Sequence, residues 1–311
     1  MQVPFFKELS KAKSVLIVGA GGGFDVISGL PLLVYLKSQN IEVTLANLSF
    51  TKLYDTNADE EYEHVFAVND AASDLPYFPE KRLYDWLIEK DMSAPIYGIL
   101  YDSGVKKLSA AYRYLIEKHD VDTLILIDGG TDSLMFGDEA RVGTIVEDAC
   151  SITAASQMSV ERNFTAAIGF GVEHDFNHYA CLENISTLIK SGDFLGSVSL
   201  TEQTDEGKAF IDFVNHINSN MRFKSIVINS IKSAMLGEFG DYHAIGRTAG
   251  TVQFVSSLMC MYLFFNTKAI SENLKFGAGI EDTESMSEVA NEYRQFRYKV
   301  RPRTDRAIPL K

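Results

Sequence analysis

Eight short apolar runs recur along the chain with helix-like stretches between them, and this alternation constrains the fold more than any other feature. The runs are SVLIVGA (14–20), IEVTLANL (41–48), PIYGIL (95–100), DTLILID (122–128), FTAAIGF (164–170), LGSVSL (195–200), SIVINS (225–230) and MCMYLFF (259–265). Apolar residues three and four apart predict helices near 104–118, 139–157, 177–190, 204–219 and 284–298. A helix between successive strands returns the chain to the same end of a sheet. The pattern therefore predicts an α/β fold: a doubly wound, mostly parallel sheet of about seven strands with helices on both faces. It also predicts one domain over residues 1–311, and 46% apolar residues suffice for its core.

Two segments break the rhythm. Residues 49–80 are polar and acidic and exceed the usual length of a connection, which predicts a lid or insertion over the strand ends. Within them Asp55, Asn57 and Asp59 begin like a calcium loop. Glu60 then stands where that loop needs glycine and Phe66 where it needs a closing glutamate, which rules out an EF-hand. Residues 294–311 form a basic C-terminal tail in which Arg294, Arg297, Lys299, Arg301, Arg303, Arg306 and Lys311 face only Asp305. Such a tail is either a solvated surface or a strap docked on an acidic surface of its own or a neighbouring subunit of a homo-oligomer.

The whole chain carries a formal charge of −13, which repels nucleic-acid backbones and anionic membranes and leaves a small-molecule ligand as the expected partner. Cys150, Cys181 and Cys260 are far apart, with neither a disulfide framework nor a zinc-knuckle spacing. The N-terminal MQVPFFKELSKAKS has no apolar signal core, and LMCMYLFF (258–265) is too short to span a bilayer. These features predict a cytoplasmic protein.

The stretch VLIVGAGGGFDVISGLPLL (15–33) puts Gly19, Gly21, Gly22 and Gly23 behind the first run and Asp25 at the loop's exit. Glycines after a parallel strand let backbone amides approach an anion such as a phosphate. The spacing departs from the dinucleotide fingerprint, because Phe24 takes the place of its third glycine and the second run ends TLANLSF, without an acid to read a ribose. Pro31 cannot lie deep in a helix, so either the helix is kinked or, with Ser28 or Gly29 as cap, it opens near residue 30. The fourth run leads into a second loop of the same design, with Asp128, Gly129, Gly130, Thr131, Asp132 and Ser133. Ligands of doubly wound sheets lie outside the carboxyl ends of strands, so both loops are expected to face one crevice.

GFGVEHDFNHY (169–179) adds Glu173, His174, Asp175 and His178 after the fifth run. Two histidines at this spacing make a zinc pair only on one helix. Here the segment leaves a strand, so His174 is expected before the helix, with Asp175 or Asn177 as cap. Lys232, Glu238, Asp241, His243 and Arg247 follow the seventh run, where the alternative is a solvated surface loop. Asp25, Asp128, Asp132, Glu173 and Asp175 in one crevice would repel a phosphate unless something positive intervenes. Mg²⁺, Lys232 or Arg247 would serve, and a cationic substrate would remove the need.

The expected site therefore has Asp25, Asp128, Thr131 and Asp132 as catalytic groups. Gly19, Gly21, Gly22, Gly23, Gly129 and Gly130 cradle a nucleotide or dinucleotide, and Asp25, Asp132, Glu173 and His174 hold a metal. The expected function is binding of a nucleotide or other phosphorylated metabolite with metal-assisted group transfer or hydrolysis; a non-catalytic nucleotide sensor is the alternative of a different class.

Three resemblances accompany these motifs. GAG followed by SGLP resembles the sirtuin and deoxyhypusine-synthase type of NAD fold, which implies an NAD-linked enzyme. Gly130-Thr131-Asp132-Ser133 resembles the G-T-D-[ST] element of bacterial-type asparaginases, which implies Thr131 as nucleophile of an amidohydrolase; their second glycine-threonine motif is missing. Finally, IVGAGGGFDVISGLPL, LIDGGTDSLMFGDEARVGTIVEDA and GFGVEHD together are similar to the domain of unknown function 1152 family over nearly the whole chain. That resemblance implies an α/β, Rossmann-like fold and no particular activity.

Overall fold

The computed structural model describes residues 2–308, and seven of the eight apolar runs are strands in it. In chain order the strands are β1 (Ser14–Gly19), β2 (Glu42–Ser49), β3 (Asp59–Tyr62), β4 (Val65–Val68), β5 (Ile96–Leu100), β6 (Thr123–Gly129), β7 (Arg162–Ile168), β8 (Phe194–Ser199), β9 (Gly240–Asp241), β10 (Phe254–Val255) and β11 (Met261–Asn266). The helices are α1 (Pro4–Leu9), α2 (Asp25–Ser28), α3 (Leu30–Ser38), α4 (Pro79–Glu89), α5 (Val105–Lys118), α6 (Ile145–Ser156), α7 (His178–Ser191), α8 (Asp205–Asn220), α9 (Ile226–Met235), α10 (Thr267–Asn273), α11 (Gly277–Ile280) and α12 (Met286–Lys299).

Nine strands form the main sheet in the order β3-β4-β5-β2-β1-β6-β7-β11-β8. Its centre, β5-β2-β1-β6-β7, is parallel, and an antiparallel pair flanks it on each side. The fold is thus the expected Rossmann-like α/β type. Side chains alternate across the pleat: Val15 and Ile17 pack with α1, α3, α4 and α8, whereas Leu16 and Val18 pack with α5, α6 and α12. Because β6 is buried along its whole length, its sequence reads as a continuous apolar run rather than as an alternating one.

Two departures from the sequence reading have local causes, and the expectation for Pro31 is met. The run SIVINS is not a strand but the start of α9. Ser225 caps that helix by accepting from the Ile228 amide, and Ile228, Ile231 and Ala234 bury one face at helical spacing. Residues 49–80 contain the β3–β4 hairpin, which extends the sheet by pairing β4 with β5. Near residue 30 both options for Pro31 are realised: α2 stops after one turn, and α3 opens with Pro31 in its first turn and Gly29 as cap.

The described part of the basic tail docks on its own chain, and Lys311 lies outside the described residues. Arg303 hydrogen-bonds Glu139, Asp138, Glu183 and Asn184, Arg297 donates to the Gly137 and Glu139 carbonyls, and Arg141 pairs with Asp305. Among the described residues no helix is long and apolar enough to cross a membrane. The three cysteines are free and buried.

Candidate functional site

Strands β1 and β6 are neighbours in the sheet although β2 to β5 intervene in the chain, so the strand order reverses between them. A crevice opens at such a point, beyond the carboxyl ends of the strands. Here it is a cavity of about 1040 Å³ lined by Gly21, Gly22, Gly23 and Asp25 of the first loop, Asp128, Gly129 and Asp132 of the second, and Glu173. The two loops therefore face one site.

Its floor is a cluster of acids. Asp25, Asp128 and Asp148 each present a carboxylate oxygen, and the three oxygens lie within 4.8 Å of one another. Asp148 was not among the candidates read from the sequence. It lies in the first turn of α6, where an acid ordinarily complements the helix dipole, so its only signal was an acidic pair, Glu147 and Asp148, opening the helix behind the second loop.

The glycines make this cluster sterically possible. A side chain at Gly21 would come within 2.8 Å of an Asp148 oxygen and 2.9 Å of an Asp25 oxygen, and one at Gly130 within 2.6 Å of Glu173. Three amides of these loops are taken by carboxylates instead. Gly21 N–H donates to Asp25 at 2.7 Å, Thr131 N–H to Glu173 at 2.5 Å and Ser133 N–H to Asp128 at 3.2 Å. Asp132 accepts from the Thr144 amide at 2.9 Å and its hydroxyl at 2.6 Å. A dinucleotide pyrophosphate would need the donors that Asp25 occupies, and Asn47, at the end of β2, bonds the Gly23 carbonyl and Glu80.

The electrostatics follow from this crowding. Asp25 keeps some exposed area but is enclosed by protein; burial, then Asp132, raises its carboxyl to about 8. Burial and Asp132 likewise raise Glu173 to about 8, and the same two causes push Asp128 and Asp148 well above the carboxylate range. Among the described residues no lysine or arginine forms an ion pair with any of the four. Asp148 Oδ1, Glu173 Oε2 and Ser28 Oγ are buried there without a hydrogen-bond partner among the described residues. Buried polar atoms are rarely left so, and the two orphaned carboxyl oxygens are of the type that a hard divalent cation takes as ligands.

The upper walls differ in character. The first turn of α9 (Ser225, Ile226, Val227, Ile228) lines one side, Arg247 stands at the rim, and Phe24, Phe50, Tyr77, Tyr101 and Phe223 surround the opening.

Several sequence candidates lie elsewhere. Gly19 ends β1, where a side chain would strike Asn47 at 2.1 Å. Gly130 and Thr131 sit behind the lining, and Thr131 is fully buried, without the access a nucleophile needs. His174 is corrected as a metal ligand: it follows Glu173 on a non-helical segment, so it points outward and bonds Gln253 at 3.1 Å. His178 starts α7, behind the Asn177 cap, and packs edge-on against Phe170 and Phe176. Asp175 is exposed and outside the lining, and Lys232 turns to Asn215, so of the two cations considered only Arg247 reaches the cavity.

The family profile described as protein of unknown function (DUF1152) matches residues 56–299. No curated protein and no solved structure matches the chain.

Proposed function

The chain belongs to the domain of unknown function 1152 family, and from the chemistry of its crevice we propose that it binds a nucleotide or other phosphorylated metabolite through a divalent cation and catalyses its hydrolysis or group transfer. The observation that carries this reading is the convergence of Asp25, Asp128 and Asp148 oxygens without a counter-charge among the described residues. All-oxygen donors favour Mg²⁺ or Mn²⁺ over zinc, which prefers the histidine and cysteine ligands that this floor lacks among the described residues. A cation held there supplies positive charge to phosphoryl oxygens that the bare acids would repel.

The chain's own residues then divide the work. Glu173, which lines the cavity, would give its proton to the leaving oxygen as water or an acceptor hydroxyl bonds to phosphorus and the old phosphorus–oxygen bond breaks. Asp132, anchored by Thr144, keeps the second loop in register with the floor. The first turn of α9 and Arg247 face the remaining negative charge of the ligand.

Mn²⁺ titration of the full chain, followed by a phosphoester panel with Mg²⁺, tests the reading. Mn²⁺ binding that Asp148→Asn abolishes, with cation-dependent turnover, is the expected result. Absence of Mn²⁺ binding overturns it; cation and ligand binding without turnover of any phosphoester makes the protein a sensor.

A further inference from the structure

The crevice has three chemically distinct zones, and the cation reading uses mainly the floor. The second zone is positive. Helix α9 has ten residues, and its first turn meets the floor where a side chain on Gly129 would lie 2.8 Å from Ser28 Oγ, 2.9 Å from Asp25 and 3.6 Å from Val227. Ser225 caps only the Ile228 amide, so the Ile226 and Val227 amides stand at the start of the helix without intrahelical acceptors. Ser28 Oγ, fully buried and unpartnered, lines the same corner. These groups suit an anion and oppose a cationic substrate.

The third zone is aromatic. Phe50 lies on the first glycine loop, where a side chain at Gly22 or Gly23 would meet its ring at 2.9 and 3.1 Å, and both glycines have positive φ. Tyr101 packs edge-on against Phe50 with centroids 4.8 Å apart, and Glu147 fixes its hydroxyl at 2.7 Å. On the other side of Gly23, Tyr77 contacts Phe24 and Phe223. Phe50, Tyr101 and Phe223 remain 46%, 38% and 50% exposed, which is apolar surface held rigid at a cavity mouth. A planar heterocycle would cover it, and Asp102 and Glu147 beside it offer acceptors for sugar hydroxyls.

We infer that the ligand is a nucleoside phosphate, with its phosphate between the floor cation and the α9–Ser28–Arg247 corner and its base against Phe50 and Tyr101. The inference rests on the cation reading, and it assigns substrate selectivity to residues outside the cation site.

Calorimetry on the full chain with Mg²⁺, using AMP, GMP, CMP, UMP and ribose 5-phosphate, tests it; Mn²⁺ binding is measured separately without any phosphate. At least one nucleotide is expected to bind about tenfold or more tightly than ribose 5-phosphate. The double variant Phe50→Ala/Tyr101→Ala should erase that preference by weakening the nucleotide far more than ribose 5-phosphate, and Phe50→Leu, which keeps the apolar contact, should retain part of it. Arg247→Ala should weaken nucleotide and sugar phosphate alike. If Mn²⁺ binds but no nucleotide outcompetes ribose 5-phosphate, or the double variant keeps the preference, the inference fails and the cation reading stands. If Mn²⁺ does not bind, the cation reading fails and the inference with it.

Discussion

Glu139 and Asp148 are both buried acids near glycine-rich turns, and the chain satisfies them in opposite ways. Glu139 accepts from the Phe136 and Gly137 amides at 2.8 and 2.7 Å, from Asn184 at 2.6 Å and from Arg303 at 2.5 Å. Asp148 has one oxygen without a donor, and the charges that act on it most are Asp132, Asp128 and Asp25. A buried acid whose cation is built into the chain serves the architecture. A group of acids without a counter-charge among the described residues would suit a diffusible one, as the proposed function requires.

The largest effect that would break this contrast is catalytic. If the floor holds a functional cation, Asp148→Asn and Asp128→Asn should each cut turnover of a cation-dependent substrate by roughly three orders of magnitude. Mn²⁺ affinity should fall by more than the roughly 10- to 100-fold typical of losing a group that merely orients a ligand. Steady-state kinetics and calorimetry read these losses, and near-parental values would show that the cluster is architecture like Glu139.

Next in size is the strap. Removing Arg303 leaves Glu139 buried and short of its cation, so Arg303→Ala should lower unfolding stability by about 2–3 kcal/mol. That is below the cost for a fully enclosed pair, because the guanidinium keeps about a third of its surface exposed. Arg303→Lys should recover only part of the loss, since a lysine cannot reproduce the fork that spans Glu139, Asp138 and Asn184. Urea titration measures both, and an unchanged midpoint for Arg303→Ala would make the strap dispensable.

The pH response should differ as well. Asp25 and Glu173 titrate near 8 in the fold, far above their values in an unfolded chain, so the fold binds protons more tightly across that interval. Without a divalent cation their contribution to stability is fully present below about pH 4 and is lost as pH rises through about 8. The gain in melting temperature on adding Mg²⁺ should therefore grow from pH 6 to pH 9, and a flat gain would contradict the cluster's role.

The smallest effect separates function from stability. Burial and the neighbouring Asp132 disfavour the charged form of Asp128, so at pH 6 Asp128→Asn should leave the cation-free melting temperature almost unchanged. At pH 9, where deprotonation is more favoured, it should raise that temperature by on the order of 2 °C, because the variant cannot acquire the charge that burial disfavours. Differential scanning fluorimetry in chelator decides it, and a lower melting temperature at both pH values would mean that Asp128 is held as a structural acceptor.

Much of this site was legible in the sequence. Asp25 and Asp128 each sit on a glycine-rich loop behind an apolar run, and strand ends of that kind converge in a doubly wound sheet. Asp148 was illegible because an acid in a helix's first turn has an ordinary explanation. His174 and Glu173 could not be told apart, since which of two neighbours points inward depends on how the turn after β7 is set. SIVINS looked like a strand because its residues favour one; the Ser225 cap and the buried face of α9 outweigh that preference.

What the sequence by itself determined was the material of the sheet and the position of the two loops, because the alternation of apolar runs with helical spacing is written in residues close together along the chain. Only the tertiary structure decided which acids are neutralised. Arg303 reaches Glu139 across 164 positions, and Asp148 meets Asp25 and Asp128 only because α6 begins beside the ends of β1 and β6. Charge compensation is set by distances in space, which local periodicity does not encode.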